Sequence, residues 1–183
     1  MSKRYTIEES TREISVEEYL ARFHNPTEVW GYCRACSNYG KQWGCPPFDF
    51  DVVALLSKYT KLRLFAVKIT LHDRSISQGE INDLLRLERV RLEENLLALE
   101  REYGGLASTY IGECLHCAKD PCARLCGAPC RHPEVVRPSL EAFGFDVSKT
   151  LVELFDIELK WGSATSPAEY IVLVCGLFYD KSC

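Results

Sequence analysis

LRLFAVKITL, residues 62–71, is the stretch from which the fold is read. Phe65, Val67, Ile69 and Leu71 fall at every second position, the spacing of side chains on one face of a β-strand. A helical pattern follows. From about Gln78 to Tyr103, the residues Ile81, Leu85, Leu92, Leu96, Leu99 and Tyr103 form one apolar stripe. Arg86, Arg89, Arg91, Glu93 and Glu94 are assigned to its solvated side. Gly104-Gly105 stops the helix. LASTYIG, residues 106–112, reads as a short strand. YIVLVCGLFY, residues 170–179, is apolar on both faces and so belongs in the middle of a sheet. The order predicts an α+β (or α/β) domain: a small sheet of three or more strands, a long crossover helix of the usual right hand, and two cysteine-rich metal-binding loops.

Upstream, Ser15-Val16-Glu17-Glu18 reads as a capping box. A short helix follows with Val16, Tyr19, Leu20 and Phe23 on one face, ended by Asn25-Pro26. Residues 31–48 are expected to be a loop closed by Cys45-Pro46-Pro47. Asp49 or Asp51 then caps a helix carrying Val52, Leu55, Leu56 and Tyr59. Residues 139–143 and 149–157 read as short helices. No repeat, linker or low-complexity segment divides the chain, so residues 1–183 are expected to form a single metal-binding domain, with its cysteine loops at about 31–48 and 112–138.

A formal net charge of −4 argues against a general nucleic-acid binder, which needs a basic excess to track phosphates. The N-terminus has no apolar core of a secretory signal, and the run at 170–179 is too short to span a membrane. These features point to a cytoplasmic protein with no membrane or nucleic-acid partner. They do not specify an oligomeric state.

Ten cysteines in such a chain call for an explanation, because reducing cytosol disfavours disulfides. Cys33, Cys36 and Cys45 form one group, and Cys114, Cys117, Cys122, Cys126 and Cys130 a second. Clustering at short spacings is what metal coordination needs. Each group opens with C-x2-C, which puts two sulfurs on one side of a tight turn and aims amides at them. A zinc site needs only Cys33, Cys36, Cys114 and Cys117 and leaves the others without a role. An iron–sulfur reading uses them. Cys114, Cys117, Cys122 and Cys130 suffice for one [4Fe–4S] cube, and Cys33, Cys36 and Cys45 give three ligands to another. The fourth ligand of that group is either Cys126, Cys175, Cys183 or none, which leaves an iron open. One cluster shared by both groups is the remaining arrangement.

GYCRACSNYGKQWGCPPF (31–48) and GECLHC…CARLCGAPCRHPEVVRPSLEAFGFDV (112–147) resemble a prokaryotic family of predicted metal-binding proteins of unknown function, frequent in anaerobes. The signatures are C-x2-C…YGK-x-W-x-CPP and PCRHPE…RPS-x-EA. The resemblance implies metal binding, with Cys33, Cys36, Cys45, Cys114, Cys117, Cys122 and Cys130 at the family's cysteine positions. It names no reaction. The chain departs from the family pattern in the longer gap between Cys117 and Cys122 and in the added Cys126.

Arg131, His132 and Arg137 follow Cys130 closely and are candidates to donate to cluster sulfur or to grip an anion. The plainer expectation is that the arginines pair with Glu134 or Glu141 to hold the loop. His116 sits inside a C-x2-C turn and is expected to be exposed. Gly40-Lys41 lacks the spacing of a phosphate loop and is better read as a turn presenting Tyr39 and Trp43 beside a metal centre. Cys175 is expected to be a small buried hydrophobe. No catalytic set of Ser/His/Asp, H-E-x-x-H or paired carboxylates stands out. The expected function is electron transfer through one or two [4Fe–4S] clusters to a partner protein or cofactor enzyme. The alternatives are an enzyme whose open iron takes a small sulfur-containing or anionic substrate, and a zinc-stapled interaction module.

Overall fold

The computed structural model describes residues 4–73, 75–109, 112–117, 120–160 and 168–180. Four strands, β1 (Tyr5–Ser15), β2 (Lys61–Leu71), β3 (Leu106–Ser108) and β4 (Tyr170–Tyr179), form one sheet in the order β1-β2-β4-β3. Each neighbouring pair is antiparallel, so β2 and β3 run parallel with β4 between them. The helix α4 (Gln78–Tyr103) makes the crossover from β2 to β3, and β4 later fills the gap. The architecture is α+β.

Alternation along β2 and β4 divides the core. Val67, Ile69, Leu71, Leu173, Cys175 and Leu177 face α4, where they meet Ile81, Leu92 and Leu96. Leu62, Leu64, Ala66, Val174 and Phe178 face the opposite layer. That layer contains α1 (Val16–Phe23), α3 (Val52–Leu56), α5 (Val147–Thr150) and the turn at Leu140, Phe143 and Phe145. Each large aliphatic or aromatic side chain so buried contributes about 1.5–3 kcal/mol, which makes these two layers the main source of stability. The full apolar content of β4 follows from its place at the centre, covered on both faces.

Several boundaries differ from the sequence expectation. Strand β1 was not anticipated, because its polar sequence YTIEESTREIS hides a weak alternation. It pairs along its whole length with β2, and its charged edge is tied by ion pairs such as Glu13–Lys61 (2.7 Å). Helix α1 ends just before Asn25-Pro26 as expected, but the same pair then opens a second helix. Pro26 occupies the first turn of α2 (Pro26–Ala35), and the Asn25 side chain accepts from the Glu28 amide. The first cysteine group is therefore not all loop. Cys33 is in the last turn of α2 and Cys36 is its C-cap.

Residues 139–143 are successive turns instead of a helix, and α5 runs on into a π-helical turn, Leu151–Phe155. Ser15 does cap α1 by accepting from the Glu18 amide (3.1 Å), but the reciprocal capping box is at Ser77 and Glu80, at the start of α4. The strand expected over 106–112 is β3 followed by a parallel bridge from Thr109 to Ser139, with Tyr110 and Ile111 outside the described residues. Among the described residues no helix is long and apolar enough to cross a membrane.

Candidate metal centre

The first cysteine group is shaped by tight turns that leave α2. The Cys36 amide donates to the Cys33 carbonyl (3.0 Å), and that of Tyr39 to the Cys36 carbonyl (3.2 Å). The Asn38 amide points at the Cys36 sulfur at 3.5 Å. A bond from the Gly40 amide to the Pro46 carbonyl (2.9 Å) folds the segment back, and Cys45 is held in this return by its amide on Gln42 (3.1 Å).

The second group is entered through Gly112. Its φ of 135° strains any residue with a Cβ, and the Arg89 guanidinium, 2.9 Å from where that Cβ would stand, would have to shift. Further turns run from the Asp120 amide to the Cys117 carbonyl (2.9 Å) and from the Leu125 amide to that of Cys122 (3.0 Å). The His116 amide bonds the Cys114 sulfur, and the His132 amide points at the Cys130 sulfur at 3.4 Å. Amides directed at sulfur spread thiolate charge, the device expected of the C-x2-C turn.

The two groups meet. Gln42 accepts the Cys114 amide on its side-chain oxygen (2.8 Å). Arg124 donates to the carbonyls of Gln42 (2.7 Å), Cys45 and Pro47, and its guanidinium lies over the Trp43 ring at 5.3 Å. Trp43 in turn donates to the Ala128 carbonyl (3.2 Å). The ends of the second loop are pinned together, because Thr109 donates from its amide to Pro138 (3.0 Å) and from its hydroxyl to Arg137 (2.9 Å).

Electrostatics shows which thiols are neighbours. Burial raises Cys114, the His116 amide opposes the rise, and the nearby Cys117, Cys122 and Cys130 add to it. Burial pushes Cys45 up to about 11, with Cys36 and Cys33 the next contributors, Arg124 opposing and Cys114 a smaller addition. Burial likewise raises Cys33, followed by Glu141 and Cys36. Desolvation and mutual repulsion thus disfavour thiolates here, and the positive charge of a metal centre reverses both. The donor set fits a thiophilic metal on that ground. All nine described cysteines are free thiols. Among the described residues no three His, Cys, Asp or Glu side chains already converge on a single ion position.

The remaining candidates have different surroundings. Cys126 is exposed and donates its thiol to the Ala123 carbonyl (3.1 Å). Cys175 is buried in β4, and Cys183 lies outside the described residues. Arg131 hydrogen-bonds Cys117 and the Pro121 carbonyl (3.0 Å). His132 is 3.8 Å from Glu134, and its ring centre is 6.0 Å from that of His116. His116 is not exposed but half-buried, within 3.1 Å of Glu93 on α4. Arg137 pairs with Glu100 of α4 through two bonds (2.8 and 2.5 Å), not with Glu134 or Glu141 side chains.

A cavity of about 730 Å³ adjoins both groups, lined among others by Cys33, Cys36, Cys45, Cys114, Glu93 and Glu141. Sequence reasoning missed Gln42, Glu93, Arg124 and Glu141. Glu93 was placed on the solvated side of α4, yet it is buried toward the cavity. Only the two acidic residues carried a usable signal, since each falls among apolar residues at core spacing.

Fold and site together define a cysteine-rich α+β protein with two thiol groups gathered beside one another, their second loop tied to α4 at Arg89, Glu93 and Glu100. The family model described as predicted metal-binding protein (DUF2284) matches residues 21–176, and the chain belongs to that family. No curated protein and no solved structure matches it.

Proposed function

We propose that this protein is an iron–sulfur redox protein that passes single electrons to a partner protein or cofactor enzyme. The observation that carries the reading is the nearness of Cys117, Cys122 and Cys130 to Cys114, with Cys33, Cys36 and Cys45 gathered beside that loop across Gln42. Four cysteines match the ligand set of a [4Fe–4S] cluster, which supplies reversible one-electron chemistry when bound. The chain's own part is to bind, shield and tune. Amides from His116 and His132 and the Arg131 side chain point at sulfur, which favours the thiolate form and shifts the potential. Trp43, locked by Arg124 and Ala128, and Tyr39 exclude water. Exposed Tyr32 and Leu125, next in the chain to Cys33 and Cys126, offer a partner apolar surface near both groups.

The cavity beside Cys33, Cys36 and Cys45 favours a second reading, in which a small molecule reaches the iron of that group. In either case the protein purified without oxygen should be brown, with broad absorbance near ~400 nm that bleaches on reduction. Metal and sulfide analysis should find iron and sulfide, and Cys45→Ser and Cys122→Ser should each lower both. A colourless protein holding zinc and negligible iron, unchanged by those substitutions, would instead establish a zinc-stapled module.

A further inference from the structure

We infer that Glu141 supplies the fourth protein ligand, through its Oε2 oxygen, to the metal centre at Cys33, Cys36 and Cys45. The inference rests on the iron–sulfur reading and adds a residue outside its cysteine set. Three observations carry it. Glu141 lines the same cavity as the three cysteines. Among the described residues its Oε2 is buried with no hydrogen-bond partner, a state that buried carboxylate oxygens rarely keep without a counter-ion or metal. Among the described residues the groups bonded to its carboxyl are the Ser139 side chain and its own backbone amide, with no cation among them. Glu141 is also the charge that Cys33 feels most strongly, ahead of Cys36.

The backbone around Glu141 is held in place for the role. Leu140 and Phe143 on either side are fully buried. Trp30, one helical turn before Cys33 on α2, donates its indole N–H to the Ala142 carbonyl (3.0 Å). One hydrogen bond thus fixes the Glu141 turn against the helix that carries the first cysteine. The other described thiols are engaged elsewhere: Cys114 with its own loop's cysteines, Cys126 with Ala123, and Cys175 in the sheet.

Coordination would be a ligand exchange: an Oε2–iron bond would form as a solvent molecule leaves that iron, and no electron would move. A hard oxygen donor on one iron exchanges more readily than a thiolate, and it faces a cavity large enough for an incoming small molecule. The two readings of the site are then one: a closed cluster at rest, with one corner that a ligand can open.

The test compares wild type, Glu141→Gln, Glu141→Cys and Cys183→Ser, all prepared without oxygen. Iron, zinc and sulfide are counted, cluster types are read by electron paramagnetic resonance and Mössbauer spectroscopy, and the rate of iron loss to a ferrous chelator is measured. Glu141→Gln should release one iron per chain at least about tenfold faster than wild type. Glu141→Cys should release it more slowly, and the cluster on Cys114, Cys117, Cys122 and Cys130 should be unchanged in both. Cys183→Ser should behave as wild type. Equal rates for wild type and both Glu141 variants overturn the inference, as does a Cys183→Ser protein that behaves like Glu141→Gln. Wild type free of iron and sulfide overturns the proposed function itself, a result distinct from equal rates in an iron-bearing protein.

Discussion

Glu100 holds the base of the second cysteine loop. From α4 it accepts two bonds from Arg137 and a third from the Ala107 amide (2.7 Å). Burial alone would raise its pKa, but the bonds from Arg137 and Ala107 outweigh that and hold it below its ordinary value of 4.5. A carboxyl depressed on folding stabilises the protein above its unfolded pKa, and that contribution is lost as pH falls through the folded value. Glu100→Gln should therefore cost about 2 kcal/mol at neutral pH, less than the ~3–5 kcal/mol for breaking a fully buried pair. The gap between wild type and variant in urea midpoint should narrow as pH drops from ~7 to below ~4. A gap independent of pH would show that the pair contributes nothing. Two arginines six positions apart thus receive separate partners: Arg131 reaches Cys117, whereas Arg137 reaches a helix 37 positions away. Adjacency in the motif carried no sign of that division.

Among the elements, β4 was the most legible and α2 the least. A ten-residue run that is apolar apart from Gly176 and lacks alternation requires cover on both faces, and β4 has it, with α4 on one face and the layer of α1, α3 and α5 on the other, while β2 and β3 flank its two edges. Cys175 sits there fully buried, its thiol pushed up to about 12 by desolvation, and behaves as part of the apolar layer under α4. Cys175→Ala should lower stability by about 1 kcal/mol, read from denaturant unfolding, and leave iron content unchanged. A loss of iron would reassign it to the metal centre. Helix α2 escaped notice because Asn25-Pro26 is equally a stop and a start. Local sequence does not distinguish them, and the choice falls to packing, with Val29 buried and Trp30 bonded to Ala142. The same ambiguity hid β1, whose polar residues suit an edge that needs only one neighbour.

At the scale of the whole molecule, the sheet and its two apolar layers are separate from the cysteine loops in what holds them. The described part of 112–138 buries only Ala123 among its apolar side chains, whereas β2 and β4 supply most of both clusters. Removing the metal should therefore loosen the loops before the sheet. Hydrogen exchange on metal-free protein should show amides of 61–71 and 170–179 still protected and those of 112–135 exchanging much faster than in the loaded protein. Uniform loss of protection would mean that the metal holds the entire fold together.

The sequence by itself determined the α+β class, the central strand, the crossover helix and the two groups of thiols, because periodicity and short spacing are local properties of the chain. Only the tertiary structure decided that the two groups meet, that Gln42, Arg124 and Trp43 join them, and that Glu141 and Cys33 line one cavity. Those contacts join segments tens of residues apart, and what places them is the packing of α2 and the 139–145 turn on one layer of the sheet, a global outcome that no local pattern records.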